Sequence, residues 1–330
     1  MQHFEGPRRS RALGRWAVRL LVVPWLAWAV IRTFGLEGGT RLVPLMTFSP
    51  YVGLASSIPL VVALIARRWV VAGVALVVCA AFAFALLPRA LSGPQPDVDG
   101  PRIRVMTANL YEGAGDAREV VRLVREQRVD VLALEELPAE ELARLDAAGL
   151  KRLLPYRNAD PRPNASGSGL FSRFPIENRK PYNSIDRNGE PRALIRIPGA
   201  LPIDLQVIHP PPPIHDQTPT WRHMLSELPR PGDGGPVRAE LRMLAGDFNA
   251  TLDHQQLRDL LDGDGGYVDA ADATGKGYDT TWPAGRDFPP EITIDHVLID
   301  PRMRADDVSV HVVPRSDHRA VVATVRVPRG

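Results

Sequence analysis

Two short polar motifs late in the chain carry the residue types that metal-assisted phosphate chemistry requires. Gly-Asp-Phe-Asn at 246–249 follows an apolar, strand-like run, and Ser-Asp-His at 316–318 follows another about seventy residues later. Hard divalent cations prefer carboxylate and amide oxygens, and an imidazole beside them can transfer a proton or stabilise charge. Such side chains at the ends of buried strands serve no packing purpose. The two motifs together indicate a metal-dependent phosphoesterase.

The first motif is the most specific in the chain. Asp247 and Asn249 are two residues apart, so in extended backbone their side chains point to the same side. Phe248 then points into the core, and Gly246 permits a close approach of the neighbouring backbone. A carboxylate beside an amide can orient a water molecule for attack on phosphorus.

Three further polar sites end apolar strands upstream. The Asn109 amide can donate to a phosphate oxygen, although a strand-end turn residue looks the same in sequence. Alternation sends Glu135 and Glu136 to opposite faces, so one can face a site while the other faces solvent or a helix. One such glutamate suffices for Mg²⁺, which keeps several waters. His209 either contacts phosphate or is an ordinary capping or exposed histidine.

Two Asp-His dipeptides, at 295–296 and 317–318, lie in the last forty or so residues. An aspartate can fix the tautomer of a separate histidine and stabilise its charged form. The dipeptides could instead be zinc ligands. No further His or Cys cluster has metal-site spacing, and Cys79 is the only cysteine. The oxygen-rich set therefore favours Mg²⁺, Mn²⁺ or Ca²⁺.

The elements that must position these side chains are strands and helices in mixed order. The predicted strands are 103–110, 129–134, 169–171, 192–197, 203–208, 241–245, 292–299, 308–313 and 320–327, and the predicted helices are 116–128, 139–148, 220–228 and 254–261. Strands outnumber helices, and many connections are too short for regular crossovers. We therefore predict an α/β fold of mixed sheets packed together and flanked by helices.

Three apolar segments precede this domain, at about 16–36, 42–66 and 69–87. Each is long enough to cross a bilayer, so we predict three transmembrane helices. A cleaved signal peptide is the alternative for the first segment, and a re-entrant element is the alternative for the first two together. A proline-rich linker at 88–101 then leads to the catalytic domain at 102–330.

Arginine placement predicts the orientation in the membrane. Four arginines precede residue 16, and Arg67 and Arg68 connect the second and third apolar segments. The positive-inside rule places both groups in the cytoplasm. Three crossings then put the catalytic domain on the extracytoplasmic side of the cell membrane.

The charge distribution differs between the two parts. The first hundred residues hold ten of the 40 lysines and arginines and four of the 38 acidic residues, which leaves 30 basic and 34 acidic residues in the remainder. This acidic body contains no basic run with interleaved aromatic residues. Because sequence-independent nucleic-acid binding depends on Lys and Arg contacts to phosphates, the composition weakens the case for a polymeric nucleic-acid substrate.

Residues 103–327 resemble the endonuclease/exonuclease/phosphatase superfamily, which includes deoxyribonuclease I-like nucleases, inositol-polyphosphate 5-phosphatases and neutral sphingomyelinases. The motifs that carry the resemblance are Asn109 in Thr-Ala-Asn-Leu, Glu136 in Leu-Glu-Glu, Ser-Arg-Phe-Pro-Ile at 172–176, His209, Gly-Asp-Phe-Asn at 246–249, Thr281-Trp282, Ile294-Asp295-His296 and Ser-Asp-His at 316–318. The resemblance implies a four-layer α/β sandwich and metal-dependent hydrolysis of phosphoesters.

The resemblance also implies a role for each matching residue. The implied metal ligands are Glu136, Asp317 and Asn109; the implied catalytic residues are Asp247, Asn249, His318, Asp295 and His209; and the implied substrate contacts are Asn109, Arg173, Asn249 and His209. Glu135 departs from the family, since many members have glutamine there. That extra carboxylate either alters the metal preference or faces away.

These observations predict a phosphodiesterase or endonuclease tethered to the membrane, with Mg²⁺, Mn²⁺ or Ca²⁺ as cofactor and nucleic acid or a phospholipid headgroup as substrate. A lipid phosphodiesterase or phosphatase, similar to sphingomyelinase, is the alternative. A non-catalytic scaffold on the same fold is less favoured, because every expected site position is filled. The sequence leaves the oligomeric state open.

Overall fold

The computed structural model of the chain describes residues 19–183, 185, 189–233, 239–263, 265–285 and 290–330. The four arginines before residue 16 lie outside this part. The strands are β1 (Arg102–Asn109), β2 (Val131–Glu135), β3 (Tyr156–Asp160), β4 (Ser168–Ser172), β5 (Ile176–Arg179), β6 (Arg192–Ile195), β7 (Ile203–Ile208), β8 (Leu241–Asp247), β9 (Val268–Asp269), β10 (Asp295–Ile299), β11 (Arg304–Val312) and β12 (Arg319–Arg326). The α-helices are α1 (Val23–Phe34), α2 (Gly39–Met46), α3 (Ser49–Ala55), α4 (Ser57–Ile65), α5 (Trp69–Leu86), α6 (Ala117–Glu126), α7 (Ala139–Ala148), α8 (Leu150–Leu153), α9 (Thr218–Ser226), α10 (Gln255–Leu261) and α11 (Ala270–Ala273).

The strands form two mixed six-stranded sheets, in the orders β11-β12-β1-β2-β4-β3 and β5-β6-β7-β8-β10-β9. Each sheet has one parallel pair at its centre, β1 with β2 and β7 with β8. Parallel strands end at the same edge of a sheet, so the segments after these four strands are brought together. The antiparallel strands β10 and β12 begin at that same edge.

Side-chain alternation along the strands creates the layers. Inward-facing residues such as Val105, Val131, Leu205 and Met243 are buried between the two sheets. The opposite face of the first sheet is covered by α6, α7 and α8, and that of the second by α9 and α10. The order helix, sheet, sheet, helix confirms the predicted α/β arrangement of two mixed sheets flanked by helices.

The prediction of three transmembrane helices was wrong. Among the described residues, only the helix Trp69–Ala90 is long and apolar enough to cross a membrane. A second span exists only if Arg19–Phe34 and Gly39–Met46 are counted as one, and these are bent by 94°. The predicted span at 42–66 is divided among α2, α3 and α4. Proline explains the breaks, because Pro50 and Pro59 lack the N–H that a continuous helix needs.

The proline-rich segment at 88–101 follows the surface of the domain. Gln95 donates to the Ala305 carbonyl and accepts from the Ala305 N–H, at 2.9 and 2.7 Å. Val98 is buried, and Ser92 forms a bridge with Thr274. The predicted linker is therefore fastened to the domain that it leads into.

A buried ion cluster joins the N-terminal helices to the domain. The Asp253 carboxylate is fully buried and pairs with Arg32 at 2.5 Å and with Arg89 at 2.8 Å. Beside it, Val43 is buried against the second sheet's helices, and its carbonyl accepts from His254 Nε2 at 3.0 Å. The apolar region and the segment following β8 are thus held in one arrangement.

Replacement of Asp253 by asparagine is expected to destabilise the chain by about 3–5 kcal/mol, because two buried guanidinium groups lose their counter-charge. Burial tends to raise the pKa of Asp253, but the two arginines hold it below its usual value. The stabilisation is therefore present at neutral pH and lost as the pH falls through the lowered pKa. Thermal unfolding measures the change, with exposed Asp216→Asn as the control. Equal midpoints for the two variants would contradict this account.

Candidate active site

Different strands and turns place the following predicted polar side chains at one edge of the two sheets. The contributions come from the end of β1 (Asn109), the residue after β2 (Glu136), the residue after β7 (His209), the end of β8 and its following turn (Asp247 and Asn249), the start of β10 (Asp295) and the segment before β12 (Asp317 and His318). Both sheets contribute, so the site lies across the open end of the sandwich.

Glu136 is turned into this site by its backbone. Its φ of 54° is left-handed, so the alternation expected between Glu135 and Glu136 ends with the strand. Asn109 Nδ2 donates to Glu136 Oε1 at 3.0 Å and to Asp247 Oδ2 at 3.1 Å, and thereby links the two sheets. Glu135 is buried between the sheets, where it contacts Thr107 at 2.9 Å, and its second oxygen has no partner.

The Gly-Asp-Phe-Asn motif at 246–249 forms a tight turn at the end of β8. A side chain at Gly246 would place its Cβ 2.0 Å from the Ile208 carbonyl oxygen, so only glycine fits. Phe248 is buried, as predicted. Asn249 has a left-handed φ of 48°, and its N–H donates to Asp247 Oδ1 at 2.8 Å. A turn, and not extended backbone, therefore brings Asp247 and Asn249 together.

His318 and Asp295 form the predicted Asp–His pair. The two Asp295 oxygens lie 3.0 and 3.2 Å from His318 Nδ1. His318 Nε2 then points toward the other acidic groups, 3.8 Å from Asp247 Oδ2 and 3.9 Å from Asp317 Oδ1. Ser316 fixes the approach, because its hydroxyl donates to the Asn109 carbonyl and accepts from the His318 N–H.

His209 completes the cluster. Its Nε2 lies 3.7 Å from Glu136 Oε1 and 3.9 Å from Asp247 Oδ2. Its backbone N–H donates to the buried Glu190 at 2.6 Å. Our sequence analysis missed Glu190, because the sequence before it is polar and contains no apolar, strand-like run.

Two residues singled out in the sequence are not brought to this edge. Arg173 follows β4 and contacts the Val129 carbonyl at 3.0 Å and Asp130 at 3.3 Å, next to the start of β2. That is the opposite end of the sheet, so the implied substrate contact by Arg173 does not fit the geometry. His296 is buried between Asp269 and the Ala250 carbonyl, at 2.7 and 2.9 Å. Its role is structural, which removes one candidate zinc ligand.

The buried charges perturb one another strongly. Burial, reinforced by the charge of Asp295, raises the pKa of Asp247 to about 7. Burial also raises the pKa of Glu136. Burial would lower the pKa of His318, but the charges of Asp295 and Asp247 outweigh it and raise the pKa to about 10. For His209, burial and the charge of His318 lower the pKa to about 4. The two histidines are thus held in opposite charge states at neutral pH.

This contrast is a testable prediction for the protein in chelator. At pH 7.5 we expect the His318 ring to be protonated on both nitrogens and the His209 ring to be neutral, because their pKa values lie on opposite sides of that pH. Histidine side-chain nitrogen chemical shifts, assigned with His318→Gln and His209→Gln, measure both states. Titration of both rings near pH 6.5 would contradict the arrangement.

The donor set fits a divalent cation. Asp247, Asp295 and Asp317 lie 3.0–3.9 Å from the His318 ring, and Glu136 lies 3.7 Å from the His209 ring. In the part of the chain that the structure describes, none of these four carboxylates contacts a lysine or arginine. Asp317 Oδ2 accepts from Trp282 at 3.0 Å, but its other oxygen is buried without a partner. A buried carboxylate oxygen without a hydrogen bond is stabilised by a nearby positive charge, which a bound cation would add to that of His318.

Ligand atoms of Asp247, Asp295 and His318 also lie within 4.8 Å of one another. However, both oxygens of Asp295 are already directed at His318, so this trio is better described as an acid–base group. Glu136 and Asp317 remain the better donors for a hard cation. The implied metal ligand Asn109 does not fit, because its amide N–H₂ faces Glu136 and Asp247 and its Oδ1 accepts from the Tyr111 N–H at 2.9 Å.

Carboxylates and histidines at the open edge of a two-sheet sandwich suit metal-dependent hydrolysis of phosphoesters. Residues 106–318 match the endonuclease/exonuclease/phosphatase family, and the chain belongs to that family. It is therefore an enzyme of this hydrolase class.

Solved structures of similar fold include a D. rerio TDP2 with 14 humanizing mutations, which is 14% identical with a TM-score of 0.54 and matches 68% of this chain and 99% of its own. Truncated Caenorhabditis elegans TDP2 is 16% identical with a TM-score of 0.52, over 70% and 100% of the two chains. D. rerio TDP2 complexed with a single-strand DNA product is 14% identical with a TM-score of 0.53, over 68% and 99%. No curated protein sequence matches the chain significantly. At these identities the likeness establishes the fold alone.

Proposed function

We propose that this protein is a divalent-metal-dependent phosphodiester hydrolase. The observation that carries the proposal is the convergence of Asn109, Glu136, His209, Asp247 and His318, with contacts of 3.0–3.9 Å, at one edge of the sandwich. When bound at Glu136 and Asp317, a Mg²⁺, Mn²⁺ or Ca²⁺ ion would supply the positive charge that offsets the phosphate and polarises its P–O bonds.

The protein's own groups account for the proton transfers. The pKa of Asp247, at about 7, suits a general base near neutral pH, and Asn249 is placed to orient the attacking water. The water oxygen bonds to phosphorus as its proton passes to Asp247. The bond to the leaving oxygen breaks, and His318, kept protonated by Asp295, returns a proton to that oxygen. The neutral His209 ring donates an N–H to a phosphate oxygen.

Hydrolysis of bis-p-nitrophenyl phosphate in ¹⁸O-water tests this chemistry. Attack on phosphorus predicts that one ¹⁸O atom appears in the p-nitrophenyl phosphate product and none in p-nitrophenol. Label in the phenol, or no turnover with any of the three cations, would contradict the proposal.

We also propose that the enzyme is anchored in the membrane with its catalytic domain on the extracytoplasmic side. Val70 and Phe84 of α5 are 83% and 87% exposed, which suits contact with lipid. Arg67 and Arg68 immediately precede α5, and the positive-inside rule places them in the cytoplasm. The orientation therefore follows from α5 alone and does not need three crossings.

Thiol labelling of intact cells tests on which side of the membrane the catalytic domain lies. In a Cys79→Ser background, a cysteine replacing exposed Tyr156 should react with a membrane-impermeant maleimide before lysis. Reaction only after lysis would place the domain in the cytoplasm.

A further inference from the structure

A cavity of about 550 Å³ opens directly beside the catalytic groups. Asn249, His318 and Trp282 are among the residues that line it. The volume lies within the roughly 300–1,000 Å³ typical of small-molecule sites. A molecule whose phosphate is at Asn249 and His318 would therefore extend its next group into this space.

One wall comes from the apolar N-terminal region. Pro44, Thr47 and Phe48, which end α2 and enter the turn before α3, line the cavity. This wall is held in place next to the domain, because Val43 is buried and its carbonyl accepts from His254 at 3.0 Å. The segment that brings apolar side chains to the active site is thus part of the region that carries the candidate membrane span.

The wall that the catalytic domain forms is also apolar. It includes Ile214, Ile292 and Ile294, together with prolines. Among the described lining residues there is no lysine or arginine and no carboxylate. A polynucleotide would require cations for its neighbouring phosphates, whereas a hydrocarbon chain requires only apolar surface.

We propose that this cavity binds the hydrocarbon chain of an amphiphilic phosphoester, so that the substrate class of the enzyme is a lipid phosphoester taken up between α2 and the catalytic edge. The inference rests on the proposed hydrolase function and specifies its substrate. The wall from the N-terminal region then has a function in the reaction beyond anchoring.

The test uses the full-length protein in a steroid-based detergent, which has no alkyl chain to fill the cavity. The substrates are p-nitrophenyl phosphodiesters whose second ester group is methyl, hexyl or thymidine. Each buried methylene group changes affinity by roughly fourfold, so we expect kcat/KM for the hexyl ester to exceed that for the methyl ester by at least about tenfold. The thymidine ester should resemble the methyl ester.

Two substitutions, one on each wall, probe the cavity. Phe48→Asp and Ile214→Asp should each reduce the ratio of hexyl to methyl activity to near one, because a carboxylate in the cavity disfavours hydrocarbon. Ile214 is 44% exposed, so its substitution is tolerable for folding. Tyr156→Asp, an exposed residue at the opposite end of the first sheet, is the matched control and should keep the wild-type ratio.

The outcomes separate the two proposals. Hydrolysis of the methyl ester with a wild-type ratio near one would overturn the lipid inference and leave the hydrolase proposal standing. A preference for the thymidine ester would also overturn it and indicate a nucleotide. Hydrolysis of none of the esters with any cation would contradict the hydrolase proposal, and the lipid inference with it.

Discussion

Replacement of His318 by alanine is expected to lower kcat for bis-p-nitrophenyl phosphate by roughly 10³-fold, the scale of losing a positioned acid that also stabilises transition-state charge. His318 is 5% exposed, and its Nε2 faces the carboxylates of Asp247 and Asp317. The loss should appear in kcat more than in KM, since the charge that His318 opposes develops during the reaction.

Two companion variants make this prediction specific. Asp295→Asn keeps the shape of the partner but removes the charge that raises the pKa of His318, so a kcat loss of roughly 10²-fold or more is expected. His311→Ala removes another histidine, which contacts Ser309 on β11 away from the site, and should retain activity. A similar loss in His311→Ala and His318→Ala, or full activity in the latter, would show that the site is misassigned.

The second large effect concerns the adjacent glutamates. Glu136→Gln is expected to weaken Mn²⁺ binding by at least about tenfold, because it removes the carboxylate that the structure turns into the site. Glu135→Gln should bind Mn²⁺ much as the wild type does. Burial, with the charge of Asp295, raises the pKa of Glu135 well above its usual value, and this carboxyl lies between the sheets beside Thr107, away from the proposed cation.

Calorimetric titration of the protein with Mn²⁺ measures both affinities without relying on turnover. Each variant differs from the wild type by the same chemical change at neighbouring positions, so effects on folding can be compared directly. Weaker binding in Glu135→Gln than in Glu136→Gln would mean that the buried carboxyl, and not Glu136, holds the cation.

Much of the site could be predicted because the sequence shows where buried strands end. Apolar runs followed abruptly by Asn109, His209 or Asp247 mark the points where buried strands reach an edge, and the two central parallel pairs bring those points together. The pairing of Asp295 with His318 was implied by family resemblance and is confirmed by their contact. The fold class followed from the order of the predicted strands and helices and from the short connections between them.

Other features depend on contacts that no local pattern reveals. Alternation placed Glu135 and Glu136 on opposite faces, but a left-handed residue ends the alternation. The strands β3, β5 and β9 were missed, and all three lie at sheet edges, where little apolar patterning is needed. Arg173 was implied as a substrate contact, yet the antiparallel course of β4 carries it to the far end of the sheet.

In the N-terminal region, hydropathy alone gave a wrong prediction of transmembrane helices. Residues 42–66 carry no charge, and an uncharged segment of this length predicts a transmembrane helix. The contacts of Arg32, Val43 and Arg89 with the domain depend on partners more than 150 residues away. Asp253 gave no sequence signal, because an isolated aspartate after a turn is usually a solvated charge.

Hydrolysis of bis-p-nitrophenyl phosphate by the purified full-length protein, first in chelator and then with Mg²⁺, Mn²⁺ or Ca²⁺ added back, decides whether the protein is a metal-dependent hydrolase. We expect no turnover in chelator, restoration by at least one cation, and a persistent loss in His318→Ala at every cation concentration. Turnover that survives chelation, or that is equal in the wild type and His318→Ala, would contradict this expectation.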